Sequence, residues 1–106
     1  GDEYIRSCAK LLCDIFSHSP VFRIGGDEFA AILRGNDYLN RDELMTTLKS
    51  RAQENQSKGD GPVLASGMSE YDPANDSFVS EVFDRADHNM YEDKVLLKGG
   101  RVSEVR

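Results

Sequence analysis

Two adjacent glycines, Gly25-Gly26, separate two apolar runs, Val21-Phe22-Arg23-Ile24 and Phe29-Ala30-Ala31-Ile32-Leu33. Paired glycines between strand-like runs predict a tight hairpin over roughly residues 21 to 34, because glycine reaches the positive φ of a tight turn without steric cost. The residues that follow the glycines are both acidic, Asp27 and Glu28. A bare backbone lets a polyphosphate come close, and two carboxylates beside it can hold the divalent metal that accompanies phosphates. The plain alternative is a solvated hairpin with two surface acids.

The rest of the chain reads as elements around this hairpin. Residues 3 to 17 carry Ile5, Cys8, Leu12, Ile15 and Phe16 at three- and four-residue steps, with Glu3, Arg6, Lys10 and Asp14 on other faces, which predicts a helix. Ser19-Pro20 stops it. Gly35-Asn36-Asp37 reads as a polar turn, and Asn40 with Glu43 as a capping box for a second helix with the apolar stripe Leu44, Leu48 and Ala52. Gln56 to Pro62 reads as a polar turn, Val63 to Met68 as a strand whose small residues admit a close neighbour, and Tyr71 to Ser77 as a loop. Asp76 or Ser77 is the expected cap of a last helix carrying Val79, Val82, Phe83, Ala86, Met90 and Tyr91, which Gly99-Gly100 ends. Arg101 to Val105 is a weak final strand. The expected order is α-β-β-α-β-α-(β), an α+β fold with a mixed, mostly antiparallel sheet and helices packed on it.

A chain of 106 residues is enough for one small domain with one core. No apolar run is long enough to cross a bilayer and no secretory leader is present, so a soluble segment is expected. The net charge of −6 argues against nonspecific binding to nucleic acid or to an anionic membrane. A nucleotide stays possible, since a local metal and a few cations override the global field. Cys8 and Cys13, the two cysteines, would point about 140° apart on the helix and match no zinc spacing. They read as reduced thiols of a cytoplasmic protein, with Cys8 on the buried face. His18 and His88 stand alone and are assigned no role.

The Gly25-Gly26-Asp27-Glu28-Phe29 signature, with Arg23 as its Arg-x-Gly-Gly lead-in, resembles the namesake motif of the GGDEF family, the diguanylate cyclases. Gly1-Asp2-Glu3 resembles the glycine-aspartate pair that opens the family's second helix. Leu64-Ala65-Ser66-Gly67-Met68 resembles its Ser-x-Gly strand. Arg85-Ala86-Asp87-His88-Asn89-Met90-Tyr91-Glu92-Asp93-Lys94 resembles its last helix. The resemblance implies a nucleotide-cyclase, palm-like fold. It also implies condensation of two GTP to cyclic di-GMP and pyrophosphate by a homodimer of domains using Mg2+ or Mn2+, each 3′-hydroxyl attacking the α-phosphate held by the other domain.

By position, Asp27 would be a metal ligand and general base, and Glu28 a second acid near metal and hydroxyl. Gly25 and Gly26 would give close backbone approach, Lys94 would contact phosphate, and Asp2 would read guanine or merely cap its helix. Lys98 stands where the family often has an arginine; a lysine supplies point charge without the bidentate fork, and a solvated helix-end lysine is an equal reading. Arg23 is expected to brace the hairpin or pair with an acid, and Phe29 to anchor the hairpin in the core.

The chain matches about the last two thirds of the family's domain, a single partial domain over residues 1 to 106. The first strand and helix would bring a further metal aspartate and a guanine-reading asparagine, so the 106-residue piece alone is expected to be inactive. Family members are usually the output end of proteins with sensory or receiver domains, in the cytoplasm or at the cytosolic end of a membrane anchor; no nucleic acid and no direct membrane contact are implied. The family's product-inhibition motif, Arg-x-x-Asp, is replaced here by Phe16-Ser17-His18-Ser19, and no cyclic dinucleotide is expected to bind there. The rival reading is a catalytically inactive member acting as a GTP- or cyclic-dinucleotide-binding or partner-docking module.

Overall fold

The computed structural model describes residues 1–98. It is α+β, with α1 (Asp2–Ile15), β1 (Val21–Gly25), β2 (Glu28–Ala31), α2 (Gly35–Leu39), α3 (Arg41–Lys58) and α4 (Val79–Leu97). The two strands pair antiparallel as the sheet of the described residues. The chain divides into two compact units, Gly1–Leu64 and the part from Ala65 onward.

The N-terminal unit is built on the apolar stripe of α1. Cys8, Leu11 and Leu12 are buried along it, as i, i+3 and i+4 positions on one helical face must be. Phe16 closes the helix, its N–H donating to the Leu12 carbonyl, and packs into the core. Leu11, Leu12, Phe16 and Leu48 of α3 form that core, with Ile15, Val21, Phe29, Leu33, Leu44, Met45 and Leu64 around it. Phe29 thus anchors the hairpin. Truncating a buried leucine such as Leu48 would cost about 2–5 kcal/mol.

Between hairpin and α3 the structure departs from the expected turn and cap. Gly35 to Leu39 is a short helix that runs almost directly into α3. Asn40 donates its backbone N–H to the Asn36 carbonyl, closing α2, and sits at φ −101°, ψ 21°. A capping side chain works from an extended backbone; Asn40 does not have one and makes no side-chain cap bond, so there is no Asn40–Glu43 capping box. α3 also continues through the expected turn to Lys58, where Gly59 adopts the left-handed conformation at φ +69°.

No strand forms over Val63–Met68. From Ala65 onward, in the second unit, it becomes a strap bonded to α4 instead of to a neighbouring strand. Ser66 donates its N–H to Asp93 Oδ2 at 2.8 Å, Asn89 Nδ2 donates to the Met68 carbonyl at 2.8 Å, and Ser69 Oγ donates to the Val82 carbonyl at 2.5 Å. Gly67 makes this possible, because a Cβ there would lie 2.1 Å from Met90 N and 2.5 Å from Ala86 O. The expectation that small residues admit a close neighbour holds; the neighbour is a helix.

The expected cap of α4 is also displaced. Phe78 is the N-cap, and the Glu81 carboxylate accepts from the N–H groups of Ser77 and Phe78 at 2.6 and 3.3 Å. Asp76 is drawn elsewhere. Its nearly inaccessible carboxylate takes two 2.7 Å bonds from Arg85, which also donates to the Glu70 carbonyl, and a third from the Asp72 N–H. The Arg85 hydrogen bonds, then the Asp72 amide, hold the Asp76 carboxyl down to about 2. The expected helix stop at Gly99-Gly100 and the strand at Arg101 to Val105 lie outside the described residues.

Candidate functional site

The hairpin tip is a two-residue turn, Gly26-Asp27, between the paired residues Gly25 and Glu28. Upstream the partners are Val21 with Ala31, Phe22 with Ala30 and Arg23 with Phe29; the register slips between Arg23 and Gly25, leaving Ile24 as a bulge. A bulge re-aims the strand that carries it. Gly26 has φ +48°, a value that a side chain would strain. Arg23 crosses the turn and donates from Nε to the Gly26 carbonyl at 2.7 Å. Arg23 therefore braces the hairpin.

Only one of the two glycines is explained by the turn. Gly25 is the last residue of β1, has no positive φ, and a Cβ there would meet nothing within 4 Å. Neither conformation nor packing within the chain requires a glycine at that position. The space beside it is open, and Asp27 and Glu28 on its far side are both exposed.

The Asp27 charge acts on two groups of α1. Burial pushes the Tyr4 phenol up, against the effect of its bond to the Val63 backbone, and the Cys8 thiol and the Asp27 charge push it further. Burial likewise raises the Cys8 thiol, its bond with Tyr4 opposes this, and Asp27 adds to the rise. Tyr4 and Cys8 lie in the first two helical turns of α1. Tyr4 is fixed there, its hydroxyl donating to the Val63 carbonyl at 3.4 Å and accepting from the Val63 N–H at 3.2 Å. Cys8 and Cys13 are free thiols, Cys8 buried and Cys13 exposed.

Asp2 is the first residue of α1, behind Gly1 as N-cap, and is exposed with no capping bond from a side chain. The capping alternative for Asp2 therefore fails. Lys94 and Lys98 belong to the C-terminal unit: Lys94 is half-buried in the last turn of α4 and Lys98 is its exposed C-cap.

As a metal site the hairpin offers two carboxylates. Among the described residues no three His, Cys, Asp or Glu side chains gather to hold an ion. Magnesium binds through one or two carboxylates and fills its remaining positions with waters and substrate phosphates, so the all-oxygen donor set of Asp27 and Glu28 fits such an ion in kind. No helix among the described residues is long and apolar enough to cross a membrane.

A family model described as "Diguanylate cyclase, GGDEF domain" matches residues 1–98. No curated protein and no solved structure matches the chain.

Proposed function

The chain belongs to the GGDEF family, and from that premise we propose that it is the GTP-condensing domain of a diguanylate cyclase, forming cyclic di-GMP and pyrophosphate as a dimer of palm-like domains. The observation that carries this reading is the unneeded glycine. A Cβ at Gly25 would meet nothing within 4 Å among the described residues, and the acids that follow in the turn, Asp27 and Glu28, are both exposed. A phosphate chain is the ligand that uses bare backbone and carboxylate-bound cation together.

In this mechanism Asp27 and Glu28 would hold a divalent cation, Mg2+ or Mn2+. When bound, that ion supplies charge neutralisation at the phosphates and lowers the pKa of an attacking hydroxyl. Asp27 accepts the proton of the 3′-hydroxyl, with Glu28 positioned beside it. Gly25 and Gly26 let the triphosphate lie against the strand end. Asp2, freed from capping, accepts hydrogen bonds from the donors on the guanine edge. Lys94 supplies positive charge to the phosphates, and Lys98, more exposed, adds point charge. Arg23 keeps the turn rigid by holding the Gly26 carbonyl, so the acids need not reorganise as charge develops.

The test is direct. The intact protein is incubated with GTP and magnesium, and cyclic di-GMP is sought by mass, with Asp27→Ala and Glu28→Ala as controls. Product that vanishes in both variants supports the reading. Tight GTP binding without product would make the domain a nucleotide sensor, and no GTP binding would end the nucleotide reading altogether.

A further inference from the structure

We propose that Asp37 seats the acidic hairpin, acting as a positioning residue for Asp27 and Glu28; this rests on the reading of the hairpin given above. Asp37 is 4% exposed, yet it lies in a short polar segment where a solvated acid would be expected. Its Oδ2 accepts from the His18 N–H at 2.8 Å and from Ser19 Oγ at 2.7 Å. Ser19 Oγ in turn accepts from the Arg34 N–H at 3.2 Å. One carboxylate oxygen therefore ties the chain just before β1 to the chain just after β2, next to the Ile32 N–H bond to the Pro20 carbonyl at 3.1 Å.

The hairpin needs such a clamp. A two-stranded ladder contributes little stability of its own, and among the described residues β1 and β2 pair only with each other. Val21 and Phe29 reach the core, whereas Phe22, Ile24 and Ile32 on the strands and their exit are about half exposed. The bonds at its base therefore bear on the tilt of the tip. Five residues of β1 make an arm of about 16 Å, so a tilt of about 10° at the base displaces the tip by nearly 3 Å (about 16 Å × sin 10°). Misplacement of reacting groups by about 1 Å can cost about 100-fold in rate. A charged acceptor strengthens both bonds that Asp37 receives, which fits a joint that must not slip.

The experiment uses the intact protein with Asp37→Ala, Asp37→Asn and Ser19→Ala. Amide hydrogen exchange is followed by mass spectrometry in residues 21–31, with α1 and α3 as internal references, and cyclic di-GMP formation is measured in parallel. Asp37→Ala is expected to speed exchange in the hairpin by about tenfold while α1 and α3 keep their protection. It is expected to lower kcat by about 100-fold with a much smaller change in KM for GTP. Asp37→Asn, which keeps an oxygen acceptor of the same shape, restores most of both, and Ser19→Ala, which removes the hydroxyl's bonds to Asp37 and to the Arg34 N–H but leaves the His18 N–H on Asp37, falls between. The proposal is overturned if Asp37→Ala stays within about twofold of the parent, if Asn is as damaging as Ala, or if α1 and α3 loosen in step with the hairpin. Should Asp37→Ala not fold, Ser19→Ala decides by the same contrast between hairpin and helices. A parent protein that makes no cyclic di-GMP would end the cyclase reading, and the exchange data alone would then support or overturn the role of Asp37.

Discussion

Replacing Gly67 by alanine is expected to destabilise the C-terminal unit by about 4–6 kcal/mol, a large share of a small unit's stability. The added Cβ would lie 2.1 Å from Met90 N, 2.5 Å from Ala86 O and 2.6 Å from Asn89 C, all backbone atoms of α4 that cannot swing aside. Ordinary contact begins at 3.4 Å, so the strap must retreat by about 1.3 Å. A retreat of that size breaks or badly stretches the bonds at Ser66, Met68 and Ser69, of 2.8, 2.8 and 2.5 Å. Each contributes about 1 kcal/mol net, the one to the Asp93 carboxylate somewhat more, and overpacking by itself costs about 1–3 kcal/mol. Urea unfolding followed by hydrogen exchange resolves the two units and gives the loss for each. Gly25→Ala is the control, since its Cβ has open space. A Gly67→Ala loss below about 1 kcal/mol in the C-terminal unit would refute the claim that bare backbone seats the strap on α4.

The two hairpin glycines should separate in function: Gly26→Ala is expected to destabilise the hairpin by about 1–2 kcal/mol through its positive φ, read by denaturant unfolding. Gly25→Ala should leave that stability unchanged and weaken binding of GTP with magnesium, read by calorimetry; unchanged binding would remove the argument built on that glycine. Asp76 should give an acid-sensitive limb. Its folded pKa of about 2 lies below the unfolded value of about 3.9, so its contribution is fully present above about pH 4–5 and is lost as pH falls toward 2. Asp76→Asn is expected to remove that limb from an acid titration of the C-terminal unit, and an unchanged titration would refute the assignment. Cyclic di-GMP should not bind at residues 16–19 of the intact protein; tight calorimetric binding abolished by changing Ser17 to Ser19 would contradict this.

The sequence by itself determined the elements whose causes are local. The glycine pair between apolar runs gave a hairpin because a tight turn needs a residue that tolerates positive φ, and Gly26 is that residue. The stripe of α1 was legible because helical period alone decides which side chains share a face; α4 forms as expected, but its stripe is not buried, with Val79 and Phe83 exposed. Tertiary structure decided what depends on a distant partner. Asn40 does stand at the N-cap position of α3, but α2 in front of it takes its N–H and holds its backbone away from the extended form, so its side chain makes no cap bond. Residues 63–68 look like a strand in isolation, but backbone polar groups bond to whatever lies within reach, and here α4 side chains do. Asp37 and Asp76 read as turn or capping acids, yet each is buried because donors from elsewhere, His18 and Ser19 for one and Arg85 for the other, converge on it. A carboxylate leaves water only where such donors replace its hydration, and their convergence is a property of the folded chain that no short stretch of residues encodes.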